Sequence, residues 1–266
     1  MIYRVSMKKL RVDILTIFPD LIEPYLRGSI LGRGQKKRLL DLRTHDLRAW
    51  THDRHRTVDD RPFGGGPGMV MKVAPFHEAL VALKLRTKDG KKTAKAKKSR
   101  VILTSAKGKI FTQKDAARLA KCDRLVFLCG RYEGVDERVA QHLTDEELSI
   151  GQYVLTGGEL AALAMTDAVT RLRPGVLGKK ESLTMESHAA EGVLEYPQYT
   201  RPENYVLGKS KAQSPKSKIW TVPKILLSGD HKKIQEWRNK KSRAPDGERP
   251  VNHDLGNCSS PHQPSH

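Results

Sequence analysis

Cysteine is scarce in this 266-residue chain, with only Cys122, Cys129 and Cys258. They are too few and too scattered for a disulfide framework, and no CxxC pair offers zinc spacing. A reducing, cytoplasmic location is the expectation, with Cys122 and Cys129 as small buried apolar residues and Cys258 in a tail. Long apolar runs are missing too. None approaches the roughly 20 residues of a spanning helix, so no membrane association is expected. The basic start, MIYRVSMKKLRVDILTIF, is interrupted by Asp13 and leads to no small-residue cleavage site. It reads as a strand, not a signal peptide. No GxGxxG follows the first strand, and GGGPGM lacks the GK[ST] of a phosphate-binding loop. A dinucleotide dehydrogenase or nucleoside triphosphatase is therefore disfavoured. No ligand cluster identifies a metal site.

Acidic residues are the other shortage. Lysine and arginine number 49 against 30 aspartates and glutamates, for a formal net charge of +19. Solubility needs far less charge than this. The excess points to a polyanionic partner, with nucleic acid first and an anionic membrane surface second. The hydrophobic fraction, 38%, suffices for a core but leaves extensive polar surface and tails.

Apolar runs alternate with helical patterns along the first two thirds. Residues 11–17 read as a strand, 20–32 as a helix capped by Asp20 with Leu21, Tyr25 and Leu26 on one face, and 38–43 as a short strand. Residues 74–85 read as a helix with Phe76, Leu80, Ala82 and Leu83 near one face. The lysine-rich run 86–100 reads either as a solvated basic loop or as a phosphate-tracking arm. Strands follow at 101–105, 124–130 and 149–155, and helices at 112–121, 134–147 and 159–172. The run 124–130, RLVFLCG, has the pattern of a fully buried parallel strand. This order predicts an α/β domain with a largely parallel sheet over residues 1–178. A linker is expected over 179–190, a small, mostly helical unit over 191–242, and a disordered tail over 243–266.

Glycines mark the ends of two consecutive predicted strands, in CGRYEGVDER (129–138) and in SIGQYVLTGGEL (149–160). Ligands of open parallel sheets bind outside the carboxyl ends of strands, where glycine lets a ligand approach the backbone. Two such turns, with VILTS ending at Ser105, favour a cofactor pocket over plain tight turns.

These segments, together with LTIFPD (15–20), THDRHRTVDDRPFGGGPGM (51–69), RPGVLG (173–178), YPQYTRP (196–202) and LLSGDH (226–231), resemble the bacterial tRNA (guanine-N1)-methyltransferases in sequence and in order. The resemblance spans roughly residues 11–238. It implies a deep trefoil-knotted fold of the SPOUT type, which general topology rules would exclude. It further implies an S-adenosylmethionine-dependent enzyme that methylates N1 of guanine 37, and an obligate homodimer with the active site at the subunit interface. On this resemblance Leu103, Ser105, Gly130, Tyr132 and Gly134 hold the cofactor in a bent form. Ile150, Gly151, Gln152, Tyr153, Val154 and Leu155 join them, and Gly157 and Gly158 line the same loop. Arg171 matches the arginine that stabilises the guanine oxygen, and Asp167, one turn earlier, either orients it or forms a surface salt bridge. The family's general base is an aspartate followed by serine. The matching residue here is Glu186, with Glu181 as the fallback. Magnesium is compatible with the resemblance.

The stretch 52–69 then reads as an RNA-facing loop. Arg54, His55, Arg56 and Arg61 would meet phosphates of the anticodon stem-loop, and Asp59 would accept hydrogen bonds from guanine N–H groups or hold Arg61. Two departures from the family stand out, a basic insertion over 206–219 and the Pro-Ser-His tail. A catalytically silent RNA-binding protein on the same fold is the alternative reading, because the aspartate is replaced. A ribosome-associated basic protein without activity is the third. The glycine-lined SIGQYVLTGGEL loop argues against the third, because RNA binding alone does not need it.

Overall fold

A computed structural model describes residues 8–177, 187, 194–207 and 219–242. The chain divides into two compact units, Met1–Lys180 and Glu181–His266. The first is built on strands β1 (Leu10–Thr16), β2 (Leu40–Asp46), β5 (Ser99–Ile110), β6 (Arg124–Cys129) and β7 (Glu146–Ser149). They lie in the order β2-β1-β6-β5-β7, and every pairing is parallel. Helices α1 (Pro19–Arg27), α2 (Ser29–Lys36), α3 (Val73–Ala82), α4 (Gln113–Leu119) and α5 (Glu159–Thr170) cover it. A two-residue ladder of β3 (Asp59–Asp60) with β4 (Val70–Met71) closes the loop between them.

Strand β6 is buried throughout its apolar length because both sheet faces are covered. Its alternation splits the core in two. Leu125, Phe127 and Cys129 pack with Ile22, Leu26, Ala116, Leu119, Ala162 and Met165 under α1, α4 and α5. Val126 and Leu128 pack on the other face with Phe76, Ala79 and Leu80 of α3. Each valine, leucine, isoleucine, phenylalanine or methionine among them contributes roughly 1.5–3 kcal/mol by burial.

Several elements depart from the sequence expectation. The helix expected over 20–32 is two helices. Gly28 breaks it, with an extended conformation between α1 and α2, and Phe18 rather than Asp20 is the first N-cap. The face differs in part. Leu26 is buried as expected, together with Ile22, whereas Leu21 and Tyr25 are 63% and 50% exposed. In α3 the buried set is Pro75, Phe76, Ala79 and Leu80, and Ala82 is exposed. The run 86–100 is not simply solvated. Arg86 is buried and lies 3.4 Å from Asp145, which also receives Lys92 at 2.9 Å. Residues 134–147 contain one wide turn, Val139–Leu143, before β7 begins. That strand ends at Ser149, so 150–155 is a loop and not the expected strand. Cys129 is buried but Cys122 only partly so, and Cys258 lies outside the described residues.

Thr112 does cap α4, through a reciprocal box with Asp115. Burial alone would raise the Asp115 pKa. Hydrogen bonds from Lys109, Thr112 and Arg118 outweigh it and hold the carboxyl at about 2. Asp13, fully buried in β1, is held lower still. There the cost of burial is overcome by His45 at 2.7 Å, Arg11 at 2.8 Å and Arg124 at 2.7 Å.

In the second unit the described residues include a hairpin of β8 (Asn204–Val206) and β9 (Ile219–Thr221), besides α6 (Lys224–Leu227) and α7 (His231–Lys241). The described residues of this unit thus include strands as well as the expected helices. Asp230 caps α7 by accepting from the Lys233 amide. The Arg238 guanidinium lies 5.0 Å from the Tyr196 ring, and Trp237 meets Tyr199 at 6.4 Å. Most of the predicted linker, residues 208–218 of the basic insertion and the tail 243–266 lie outside the described residues.

Removing the Asp13 charge leaves the part-buried Arg11 and Arg124 without their carboxylate. Asp13→Asn is expected to cost about 3 kcal/mol of unfolding free energy in urea titration. Asp115 gives a pH signature. Its folded pKa lies below the ordinary 3.8, so its contribution is complete above 3.8 and is lost as pH falls towards about 2. The stability gap between the parent and Asp115→Asn should be constant above pH 3.8 and close on acidification.

Candidate functional site

The carboxyl ends of β5 and β6 open into a cavity of 410 Å³. Three backbone irregularities make it. In β5 the pairing to β7 slips, so that Thr104 and Lys109 both face Leu148 and residues 105–108 bulge out of the ladder. Gly108 permits the bulge, because a Cβ there would lie 2.7 Å from the backbone of Glu147 and Leu148. After β6, residues 130–134 turn sharply. Tyr132 adopts φ 59° and Gly134 φ 131°, a left-handed region that costs a tyrosine energy. The third irregularity is the loop 150–158, which leads into α5.

Glycine is required where that loop meets β5 and β6. The Gly158 amide donates to Gly130 O at 2.9 Å, and a Cβ on Gly158 would collide with Thr104 Oγ1 and come within 3.1 Å of Cys129 Cα. Immediately beneath, the buried Glu159 carboxylate accepts Arg131 Nε at 3.1 Å and Thr16 Oγ1 at 2.7 Å. Arg131 also lies over the Phe18 ring at 4.7 Å. Cys129 is deep in the core beside this carboxylate. Burial first, and the Glu159 charge second, push its thiol pKa well up, so it is an inert apolar residue and not a nucleophile.

The 51–69 loop is tied to the same place. Glu133 N donates to Met69 O at 3.1 Å, Met71 N to Gly134 O at 2.9 Å, and Arg131 N meets the Met71 sulfur at 3.2 Å. Positive φ at Gly64, Gly65, Gly66 and Gly68 gives the chain its reversal. Arg54, His55, Arg56 and Arg61 are exposed. Asp59 is half-buried, with its backbone paired to Met71. The Arg61 amide is held at 2.8 Å by Asp60, not by Asp59.

The cavity brings together Leu103, Ser105, Gly130, Tyr132, Gly134, Ile150, Gly151, Tyr153, Val154, Leu155, Gly157 and Gly158. Gln152 is not among its lining residues. Arg171 ends α5, its amide donating to Asp167 O at 3.1 Å, and the Asp167 carboxylate accepts Tyr25 Oη at 2.6 Å. Glu186 and its fallback Glu181 lie outside the described residues. Sequence reasoning missed Ala106, Lys107, Arg131, Glu133 and Glu147, all of which line the cavity. Glu147 is notable because its Oε1 is buried without a partner among the described residues. The expected helix over 134–147 concealed it. Its place beside SIGQYVLTGGEL was the available signal.

Residues 10–250 match the family model described as tRNA (Guanine-1)-methyltransferase TrmD. Among curated proteins, the tRNA (guanine-N(1)-)-methyltransferase of Halorhodospira halophila is 46% identical over 87% of this chain and 80% of its own length. The enzyme of that name from Thermobifida fusca is 48% identical over 86% and 82%. That of Bacillus subtilis is 45% identical over 88% and 87%.

The contact at Gly158 can be tested without a ligand. Gly158→Ala should destabilise the fold by about 1–3 kcal/mol through overpacking. Thr104→Ala in the same chain should recover part of that loss, read by urea denaturation, because it removes the hydroxyl that the new methyl group meets.

Proposed function

The chain belongs to the tRNA (guanine-N1)-methyltransferase family, and from that premise we propose that it methylates N1 of guanine 37 of tRNA with S-adenosylmethionine as donor. The observation that carries the proposal is the cavity at the carboxyl ends of β5 and β6. Its volume lies in the range of small-molecule sites. Gly130 and Gly134 offer backbone without Cβ to a flat ring. The unpartnered Glu147 Oε1 suits ribose hydroxyls or an ammonium group, either of which would satisfy it. Gly157 and Gly158 hold the loop against the strands, and Tyr132 and Ile150 to Leu155 wall the remainder. When bound, S-adenosylmethionine supplies an electrophilic methyl group on sulfur.

The chain's own residues do the rest. Guanine N1 carries a proton and is a poor nucleophile until that proton leaves. Glu186 takes it as general base. Arg171 stands at the guanine O6 and stabilises the charge that develops there. Positioning N1 in line with the methyl group matters as much as either charge. Glutamate is one methylene longer than the family's aspartate, so the linker bearing Glu186 must sit correspondingly farther from N1. Arg54, His55, Arg56 and Arg61 meet phosphates of the anticodon stem-loop, and Asp59 accepts N–H groups of guanine. The pinned β3–β4 ladder holds Asp59 still for that purpose.

The proposal extends to a deep trefoil knot formed by the loops around the cavity, and to a cytoplasmic homodimer with the active site between subunits. Exposed apolar residues beside the cavity support the dimer, among them Leu160 and Val154, which are 62% and 86% exposed. Residues 1–178 would form the catalytic domain and 191–242 a tRNA-gripping domain.

Labelled S-adenosylmethionine and a tRNA transcript bearing guanine 37 test the reading. Methyl transfer is expected to that transcript and not to one with adenine there, whereas equal labelling of both would refute the assignment. Glu186→Gln should lower turnover by roughly 100-fold or more with cofactor affinity nearly unchanged, as calorimetry would show. Unchanged turnover would return the base to another carboxylate, Glu181 first.

A further inference from the structure

The opposite end of the same sheet carries a second cavity, of 460 Å³. It lies at the amino ends of β1, β5 and β6, and its polar walls are Arg11, Lys84, Lys98, Ser99, Asp123 and Arg124. At about 3.3 Å per residue, the length of β6 sets it some 15–20 Å from the glycine cradle. Nothing in the methyl-transfer reading uses it.

Three observations point to an anion there. The first is an unmade hydrogen bond. Arg124 donates through Nε to Asp13 Oδ2 at 2.7 Å and through Nη1 to Leu83 O at 2.9 Å, yet its Nη2 is buried with no acceptor among the described residues. A buried charged donor without a partner is costly, and such a group calls for a ligand or an ion. The second is Lys84. It follows α3 with φ 62°, at a helix end where glycine or asparagine is usual. The sequence accepts that strain and places an exposed cation on the cavity wall. The third is the charge balance. Arg11, Lys84, Lys98 and Arg124 face two carboxylates, Asp123 on the wall and Asp13 behind it, which leaves two positive charges.

We propose that this cavity binds a phosphate group, with Arg124 Nη2 as the buried donor and Lys84 and Lys98 supplying charge from the rim. A phosphate dianion matches the two uncompensated charges and offers several acceptor oxygens to the guanidinium. The group could be carried by a small phosphorylated molecule or by the RNA backbone. The chemistry is shared, and the experiment separates the sources.

Calorimetric titration of the full chain with inorganic phosphate is the test. Asparagine tolerates the left-handed conformation, so Lys84→Asn/Lys98→Ala removes two charges without disturbing the end of α3. Lys36→Ala/Lys37→Ala removes two exposed charges elsewhere and controls for the overall field. The parent should bind phosphate saturably, and the cavity variant about tenfold more weakly, while the control stays close to the parent. Lys98→Ala alone leaves α3 intact and should show part of the loss. Absence of saturable binding in the parent, or equal weakening in cavity and control variants, would overturn the proposal. Filter binding of a tRNA transcript assigns the source. Weaker tRNA binding by the cavity variant than by the control means an RNA phosphate, and equal binding means a small phosphorylated ligand. Neither readout involves methyl transfer, so the result stands apart from the fate of the catalytic reading.

Discussion

The buried carboxylate of Glu159 is the contact on which the site depends. It stands in the first turn of α5, where the helix dipole favours negative charge. Arg131 and Thr16 meet it from the ends of β6 and β1. Thr16 Oγ1 in turn accepts the Phe18 amide at 2.9 Å, so the start of α1 is fixed by the same group. One ionised oxygen pair therefore holds four chain segments. Removing Arg131 would leave the buried carboxylate without its cation. The glycines follow from this constraint. With Glu159 drawn down to Arg131, residues 157 and 158 lie against Thr104, Cys129 and Arg131, and no Cβ fits. The cradle is open to a ligand because the packing beneath it is tight.

What the sequence made legible was set by local rules. The strand pattern of 11–17, the continuous apolar run of β6 and the apolar length of α5 each rest on residues a few positions apart. What stayed hidden depended on distant partners. The β5 bulge comes from a pairing slip against β7, and nothing in SAKGK announces it except Gly108, whose neighbour is Glu147. In α1, Leu26 packs in the core as expected, but Ile22 joins it there in place of Leu21 and Tyr25, against Leu10, Val12 and Ile14 of β1. The glycine-rich residues that line the cavity were visible as turns, and their resemblance to a family supplied their grouping. Glu147 and Arg131 were visible only as charges in a charged chain.

The 51–69 loop is a more rigid object than its composition suggests. Asp53 accepts the Thr57 hydroxyl at 2.6 Å and its amide at 3.0 Å, and Asp60 takes the Arg61 amide. Two of the acids in this stretch therefore shape backbone. Asp59, with its backbone in the ladder and its side chain half-buried, is the carboxylate in the best position to address a base. Four consecutive or near-consecutive left-handed glycines then return the chain to Met69 and Met71, which bond to the 131–136 turn. A loop gains precision when a scaffold holds both its ends, and here the scaffold is the wall of the cavity at the ends of β5 and β6.

The two ends of the parallel sheet thus divide the chemistry. At the carboxyl ends, glycines and a single orphan carboxylate make a surface of exposed backbone, suited to a ligand that brings its own positive charge and hydrogen-bond donors. At the amino ends, Arg11 and Arg124 converge on Asp13 and leave one guanidinium nitrogen over, suited to a ligand that brings acceptors. Strand β6 begins in one environment, at Arg124, and ends in the other, at Cys129 beside Gly130. A net charge of +19 would place cations on every face if it were spread evenly. At the glycine cradle the lining cations are paired, Lys107 with Glu137 and Arg131 with Glu159. If the cradle takes a sulfonium and the far cavity a phosphate, as proposed, holding them at opposite ends of the sheet keeps the charge that a phosphate favours away from a cationic donor.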